Sequence, residues 1–391
     1  MEYISLLVSG LTLTEWILAG MLLFFFLVQL LFYLLVYNKP FRHQKKQQPP
    51  TPPDAALPPI SVIIATKNNS EELAKNLPFI LEQDYPDYEV IVVNSGSTDE
   101  TDMVLKAAAL KYPHFYHTYV PDEADSINEK KLALTIGIKA AKHELLLFTE
   151  SYCRPSTPHW IREYGRAFTK EIDILLGFSR VGFDKKVSMQ RFIRYDNLMH
   201  HLKFLSMALL GKPYMGIGRN MAYRKELFFR NKGFSSILHI DAGEDDLFIN
   251  RIVRGVPTGV VLTPESMTET HGIDHFLSWR SLKSRYLYTK QFYRGVGPSL
   301  FSLETFTRYL FYLLFSLALT LSIVNGSWLI TGTALLLFFV RYGIQLWVIN
   351  KSSQLFDNVG YHLNLLLFDL FQPFNNFRFR RYANRRTRYR R

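Results

Sequence analysis

Three consecutive carboxylates, Glu244, Asp245 and Asp246, stand in the segment GEDDLFINR. Such a run can sit at a helix start, where acidic side chains meet the positive end of the macrodipole, and carboxylates so crowded can also serve as a proton acceptor. Two apolar, β-branched runs end in polar clusters: Ala65, Thr66, Lys67, Asn68 and Asn69 close the first, and Asn94, Ser95, Gly96, Ser97, Thr98 and Asp99 close the second. Turn chemistry explains part of this, with Gly96 in the turn and Ser97 or Thr98 capping the next helix. A polar strand end beside a helix start also suits the ribose and phosphates of a nucleotide. A third run ends in Glu150, Ser151 and Tyr152, and the basic pair Lys283 and Arg285 lies in WRSLKSRYLYTKQFY. Isolated cations of that kind are read first as solvated or as facing lipid headgroups.

The elements that would position these groups alternate. Ile60 to Ala65, Glu89 to Val93 and Glu144 to Thr149 read as buried parallel strands, and Glu71 to Gln83, Thr98 to Leu110 and Lys130 to Lys142 as helices. The order strand, helix, strand, helix, helix, strand predicts a doubly wound α/β architecture. The other chemistry-bearing residues are weaker signals. His200 and His201, and His271 and His275, have no carboxylate at ligand spacing and read as polar surface histidines. Cys153, the single cysteine, excludes a disulfide framework and a multi-cysteine zinc site, and reads as a buried thiol. Gly216, Gly218 and Asn220 form either a pliable loop or an ordinary turn, and the helical stretch Gln190 to Leu210 either rests on a membrane or packs on the domain.

Outside that domain the chain is apolar. Trp16 to Tyr37 is long enough to cross a hydrocarbon core of about 30 Å and is followed by Lys39, Arg42, His43, Lys45 and Lys46, then by the proline-rich stretch Pro49 to Pro59. Phe306 to Val324 and Trp328 to Ile349 predict a two-span hairpin turning at Asn325 to Ser327, with Arg341 interrupting its second half. Leu355 to Phe371 is amphipathic and is expected at the interface or against the domain rather than as a fourth span. The formal charge of +12 is concentrated at the end, where eight of the last fourteen residues are arginine. Beside an apolar region this reads as a juxtamembrane segment facing anionic headgroups, not as a nucleic-acid tail. The positive-inside rule then puts the linker, the α/β domain and the tail in the cytoplasm, on a bacterial-type inner membrane. The predicted organisation is an anchor over 1–38, a linker over 39–59, a catalytic-type domain over 60–297, the hairpin over 298–350, and an interfacial segment with basic tail over 351–391.

Five motifs in order give a resemblance. PPISVIIATKNNSEELAKNLPFILEQDYPDYEVIVVNSGSTDET resembles the opening of family 2 glycosyltransferases. KKLALTIGIKAAKHELLLFTESYCRPSTPHWI is similar to their K-x-x-A-L-x-x-G helix and the strand ending in a metal-binding D-x-D. GIGRNMAYRKELFF, GEDDLFINR and WRSLKSRYLYTKQFY fall at the acceptor-side, E-D and Q-x-x-R-W positions. The resemblance implies a GT-A, Rossmann-like nucleotide-binding domain joined to transmembrane helices. It also implies an inverting transfer of a sugar from a UDP- or GDP-linked donor to a hydroxyl of a membrane-associated lipid or glycan acceptor. On the matching positions, Asp245 is expected as the base, its pKa raised by crowding, with Asp246 and Glu244 as alternates. Thr66, Asn68, Asn94, Ser95, Ser97 and Lys131 are expected at the nucleotide. Glu150 is expected at a Mg2+ or Mn2+ ion, and Arg219, Asn220, Lys283 and Arg285 near the acceptor and diphosphate.

This chain departs from the pattern where the donor binds. Asn94 and Ser95 replace two aspartates, and Glu150-Ser151-Tyr152 replaces D-x-D, so basic residues could take over neutralisation of the diphosphate from a metal. Leu282 and Tyr286 replace the glutamine and tryptophan of Q-x-x-R-W, which points to addition of one or a few sugars rather than to polymer synthesis. The rival expectation is an inactive relative acting as a membrane scaffold or partner subunit.

Overall fold

The computed structural model describes residues 12–46, 57–120, 128–357 and 359–388. The proline-rich linker reading falls mostly on 47–56, and the end of the arginine tail on 389–391, both outside the described residues. Helix α1 (Leu13–Leu31) starts earlier than expected because Thr12 and Glu15 form a capping box, with Glu15 N–H donating to Thr12 Oγ1 at 3.3 Å and Thr12 N–H to Glu15 Oε2 at 2.9 Å. It runs through a π-helical turn, Phe32–Tyr37, into α2 (Lys39–Lys46).

The α/β domain opens with β1 (Ile60–Thr66), α3 (Ser70–Leu81), β2 (Tyr88–Asn94), α4 (Thr101–Lys111), β3 (Phe115–Tyr119), α5 (Glu129–Ala140) and β4 (Leu145–Phe148). β1 and β4 are buried along their whole length and β2 nearly so, as parallel strands covered on both faces should be. β3 was absent from the expected order. It is an edge strand, FYHTY, only partly buried, so it has no continuous apolar run to reveal it. Gly137 fixes the seat of α5, because a Cβ there would lie 2.9 Å from Ile63 Cγ2 and 3.3 Å from Val93 Cγ2. The helix therefore lies against β1 and β2 in one rotational setting, and that setting aims its first turn at the strand ends.

The chain continues through β5 (Cys153–Pro155), α6 (Trp160–Ala167), β6 (Ile174–Gly177), β7 (Ser179–Val181), α7 (Gln190–Leu209), β8 (Met221–Arg224), α8 (Lys225–Arg230), α9 (Asp246–Ile252), β9 (Thr258–Val261), β10 (Thr268–Thr270) and α10 (Phe276–Thr289). The main sheet has the order β3-β2-β1-β4-β8-β6-β9 and a small one the order β5-β10-β7. Strands β1 to β4 are parallel, and β8 pairs antiparallel with both β4 and β6. The fold is α/β and Rossmann-like, with one antiparallel strand inserted.

Three helices are long and apolar enough to cross a membrane: the first from Leu13 to Lys45, then α11 (Val296–Val324) and α12 (Trp328–Phe356). The far end of the bundle is marked by Glu15, whose carboxylate lies 3.4 Å from the Asn325 amide in the hairpin turn. At the near end, helix α13 (Asn364–Arg388) packs on α10 and α7 and is not among the span candidates. Its Asp369 is fully buried and accepts from Arg308 Nη1 at 2.9 Å, Arg341 Nη2 at 3.1 Å and Tyr312 at 2.8 Å, while Arg341 also reaches Gln29 Oε1 at 3.1 Å. Arg341, the charge that interrupts the apolar run, is thus neutralised inside a network joining all three spans to α13. One apolar core runs from Ile63 and Ala65 of the sheet, through Tyr195 and Leu202 of α7, to Tyr33, Val348 and Phe356 at the near ends of the spans. Helix α7 is buried nearly all round and lies within this core, so it packs on the domain.

Candidate functional site

At the carboxyl ends of β1, β2 and β4 lies a cavity of about 330 Å3, lined by Thr66, Lys67, Asn69 and Ser95 on one side and by Lys130, Glu150 and Tyr152 on the other. Thr66 Oγ1 is buried there without a partner, a hydroxyl that the protein leaves for something else to satisfy. Asn68, Asn94 and Ser97, expected to touch a nucleotide, do not line this cavity. Asn68 N–H donates to Ser97 Oγ at 2.9 Å, Thr98 N–H to Asn68 Oδ1 at 2.7 Å, and Ser97 N–H to Asn94 Oδ1 at 3.0 Å. These side chains tie the two loops together and shape the cavity from behind.

The centre of the site is an ion cluster. Lys130 Nζ lies 2.6 Å from Glu150 Oε1 and 3.0 Å from Glu244 Oε1, and Arg285 Nη2 lies 2.5 Å from the same Glu244 oxygen. Burial would lower the Lys130 pKa, but the two carboxylates outweigh it and hold the ammonium protonated. Burial would likewise raise Glu244, and Lys130 and Arg285 reverse the shift to well below the usual carboxylate range.

Lys131, the lysine expected at the nucleotide, is corrected by the structure. Its side chain is fully buried and donates to the carbonyls of Ile237 and Ala242 at 2.8 Å each and to that of Ile240. It clamps the loop that leads into the carboxylates, where Ala242 and Gly243 take positive φ of 96° and 90°. Burial pushes its pKa down to about 8. Successive helical residues are rotated by about 100°, so the neighbour of a clamping lysine faces the cavity.

The three carboxylates have three different surroundings. Asp246 is buried at the start of α9, accepting from Leu247 N–H at 2.7 Å and from the hydroxyls of Thr289 and Tyr293. Burial, and next the Asp245 charge, raise its pKa well above the ordinary value, so the crowding expected to act on Asp245 falls on Asp246. Glu244 is held by its two cations. Asp245 accepts at Oδ2 from Gly218 N–H at 2.8 Å and from Tyr286 at 3.1 Å, and no donor among the described residues reaches Oδ1. Gly218 is needed here, since a Cβ would stand 3.2 Å from Asp245 Cβ and 3.5 Å from Glu150 Oε1.

Residues 61–229 match the family described as Glycosyl transferase family 2. The similarity to that family covers this part of the chain. Among solved structures, the mannosyltransferase PcManGT of Pyrobaculum calidifontis, determined with GDP-Man and Mn2+, aligns with a TM-score of 0.55 at 18% identity, covering 86% of this chain and 98% of that one. The likeness is one of fold, GT-A. TarS 1-349 of S. aureus aligns at 16% identity with a TM-score of 0.40, covering 85% of this chain and 92% of that one. No curated protein matches the sequence.

Three further residues expected at the acceptor side of this glycosyltransferase domain have other work. Asn220 is saturated: its Oδ1 accepts from Trp160 Nε1 and Tyr164 at 2.9 Å each, and its Nδ2 donates to the carbonyls of Phe178 and Ser266 at 2.7 and 2.9 Å. Arg219 is buried, donating to Thr270 Oγ1 at 2.8 Å and Asn197 Oδ1 at 3.4 Å, and stands behind the site. Lys283 pairs with Asp196 on the face of α10 opposite Arg285, because two residues on a helix differ by about 200°. The expectation of surface histidines fails for His201 and His271, while His275 is exposed. His201 is fully buried and its ring lies within hydrogen-bonding distance of Ser179 N–H at 3.2 Å and the Asn197 carbonyl at 2.9 Å; His271 is buried and lies 3.1 Å from Asp184.

The residues present do not fit a divalent metal. No group of three or more metal-ligating side chains forms among the described residues. Glu150 is the one carboxylate at the D-x-D position, and the Lys130 ammonium occupies its oxygen at 2.6 Å. Tyr152 stands where the second carboxylate is expected, and burial raises its phenol far from ionisation. Lys130 was missed as a site residue. Counting K-x-x-A-L back from Ala133 and Leu134 places the motif lysine at 130, which is the signal that finds it.

Proposed function

We propose that this chain is an inverting glycosyltransferase that moves a sugar from a UDP- or GDP-linked donor to a hydroxyl of a membrane-associated lipid or glycan. One observation carries the reading: Asp245 is oriented by two neutral donors on one oxygen and keeps the other free of donors, whereas Glu244 is ion-paired to Lys130 and Arg285 with its second oxygen buried, and Asp246 accepts at both oxygens. Asp245 sits with Lys130, Glu150 and Arg285 around a small pocket that shares Lys130, Glu150 and Tyr152 with the strand-end cavity. Asp245 accepts the acceptor proton as the hydroxyl oxygen attacks the anomeric carbon, and the bond to the diphosphate breaks on the opposite face. The leaving diphosphate takes the electron pair, and Lys130 and Arg285 stand where its charge grows. The basic residues after the first span, together with Lys351, support a location on the cytoplasmic face of a bacterial inner membrane under the positive-inside rule.

Tyr152 in the donor site favours a second reading, an inactive subunit that supports a partner. To decide, the detergent-solubilised full chain is mixed with radiolabelled UDP- and GDP-sugars and a membrane lipid extract, and label is followed into the lipid and glycan fractions. Transfer that Asp245→Asn abolishes supports the enzyme. Absence of both transfer and nucleotide binding replaces it with the inactive subunit.

A further inference from the structure

On the other side of Tyr286 from the ion cluster is a second cavity, of about 280 Å3, walled by α7, α10, the first turns of span α11, and α13. Its charged lining is basic. Lys203 projects from α7, Lys283 from α10, and Lys290 from the turn that follows, with His200 beside them. The acidic groups facing them are already engaged. Asp196 accepts from Lys283, from Trp279 Nε1 at 2.9 Å and from Gln372 Nε2 at 2.9 Å, and Glu304 is ion-paired to Arg308 at 2.5 Å. Neither Lys203 nor Lys290 has a carboxylate within ion-pair distance among the described residues, and His200 Nε2 is buried without a partner. Burial drives the Lys203 pKa down to about 7 and lowers Lys283 and Lys290, as expected for cations gathered without enough counter-charge.

Unbalanced cations converge in a folded protein where an anion is to be held. The position of the cavity says where that anion comes from. Its rim includes Ser302, exposed on the first turns of a span, and α13 carries exposed Phe374 and Phe377 alongside it, so the rim lies at the level of the lipid headgroups. The inner wall is Tyr286, whose hydroxyl donates to Asp245 Oδ2 at 3.1 Å. We propose that this cavity binds the phosphate group of a membrane lipid and so anchors the acceptor on the membrane side of the transfer centre. The acceptor role rests on the transferase reading above; the phosphate site does not.

The test uses the full chain in uncharged detergent micelles with phosphatidic acid as the probe, phosphatidylcholine as the neutral-headgroup comparison and inorganic phosphate as competitor. Native mass spectrometry counts bound lipid, and UDP and GDP binding is measured in parallel on the same preparations. Lys203→Gln/Lys290→Gln should weaken phosphatidic acid binding about tenfold or more and leave nucleotide binding intact, whereas Lys139→Gln/Lys170→Gln, equal in charge and far from the cavity, should change it less than about twofold. Equal weakening by both pairs, or none by either, overturns the site. Displacement by inorganic phosphate at the same concentration overturns the lipid as its source. Lipid binding that persists in a protein binding no nucleotide supports the site and removes the transferase reading instead.

Discussion

The substitution Lys130→Met tests whether a side chain holds the place that a metal ion holds in the expected D-x-D pattern. Lys130 Nζ stands 2.6 Å from Glu150 and 3.0 Å from Glu244, contacts worth about 5–6 kcal/mol each before desolvation at an effective dielectric of about 20. Much of that is cancelled by the cost of removing the charges from water. Removing one partner of a buried pair typically costs about 3–5 kcal/mol. Glu244 keeps Arg285, so only Glu150 is orphaned, and the Lys130 side chain is 26% exposed, which lets water relieve part of the loss. The net cost to the fold is about 2 kcal/mol. A nucleoside diphosphate would separately lose one charge-assisted contact, also about 2 kcal/mol, or roughly thirtyfold in affinity.

The same change frees Glu150 and leaves Glu244 with Arg285 alone, so that oxygen ligands of the kind a hard divalent ion prefers come within its reach. Calorimetric titration of UDP and GDP into the wild-type chain should therefore be insensitive to EDTA. Lys130→Met should bind roughly thirtyfold more weakly in EDTA and recover with Mg2+ or Mn2+. Lys139→Met, on the exposed side of the same helix, serves as control and should match the wild type. Wild-type binding that collapses in EDTA, with Lys130→Met behaving like the control, would refute the argument that the ammonium replaces the ion.

Other consequences can be checked singly. Asp245→Asn should cut kcat about 10²–10⁴-fold while nucleotide affinity stays within about threefold, as loss of a general base predicts. Gly218→Ala pushes a methyl to 3.2 Å from Asp245 Cβ and should lower kcat more than it raises KM, measured by steady-state kinetics. Asp369→Asn removes the carboxylate shared by Arg308 and Arg341 and should cost about 3–5 kcal/mol, seen as a lower thermal midpoint in detergent and a more protease-sensitive α13. Lys203 has a folded pKa of about 7 against 10.5 unfolded, so the folded state holds fewer protons between those values and its stability rises with pH across that window. The groups acting on it are Glu304, Arg308, Lys290 and Lys283, so Lys203→Met should raise the thermal midpoint more at pH 6.5 than at pH 9.5; an equal rise at both would contradict the assignment.

What the sequence revealed follows from how far each feature depends on distant residues. ISVII and VIVV are legible as strands because each is buried on both faces, whereas β3 is an edge and shows no apolar run. The spans are legible from length and hydropathy alone, but the reason Arg341 is tolerated lies in Asp369 and Gln29, which no local window contains. The carboxylate run marks the site, yet its three roles are set by Lys130, Tyr286, Thr289 and Tyr293, brought in from α5, α10 and the turn beyond it. Lys130 and Lys131 differ by one residue, and Lys283 and Arg285 by two, so composition cannot separate a ligand-facing cation from a clamp or from a member of a buried pair. The helical phase can: Gly137, pressed on Ile63 and Val93, fixes the inner face of α5, and Lys130, seven residues or close to two turns earlier, falls at the end of that face nearest the strand termini. Motif spacing is thus informative to the extent that one position in it is pinned by packing, and in this chain the pinned position is a glycine.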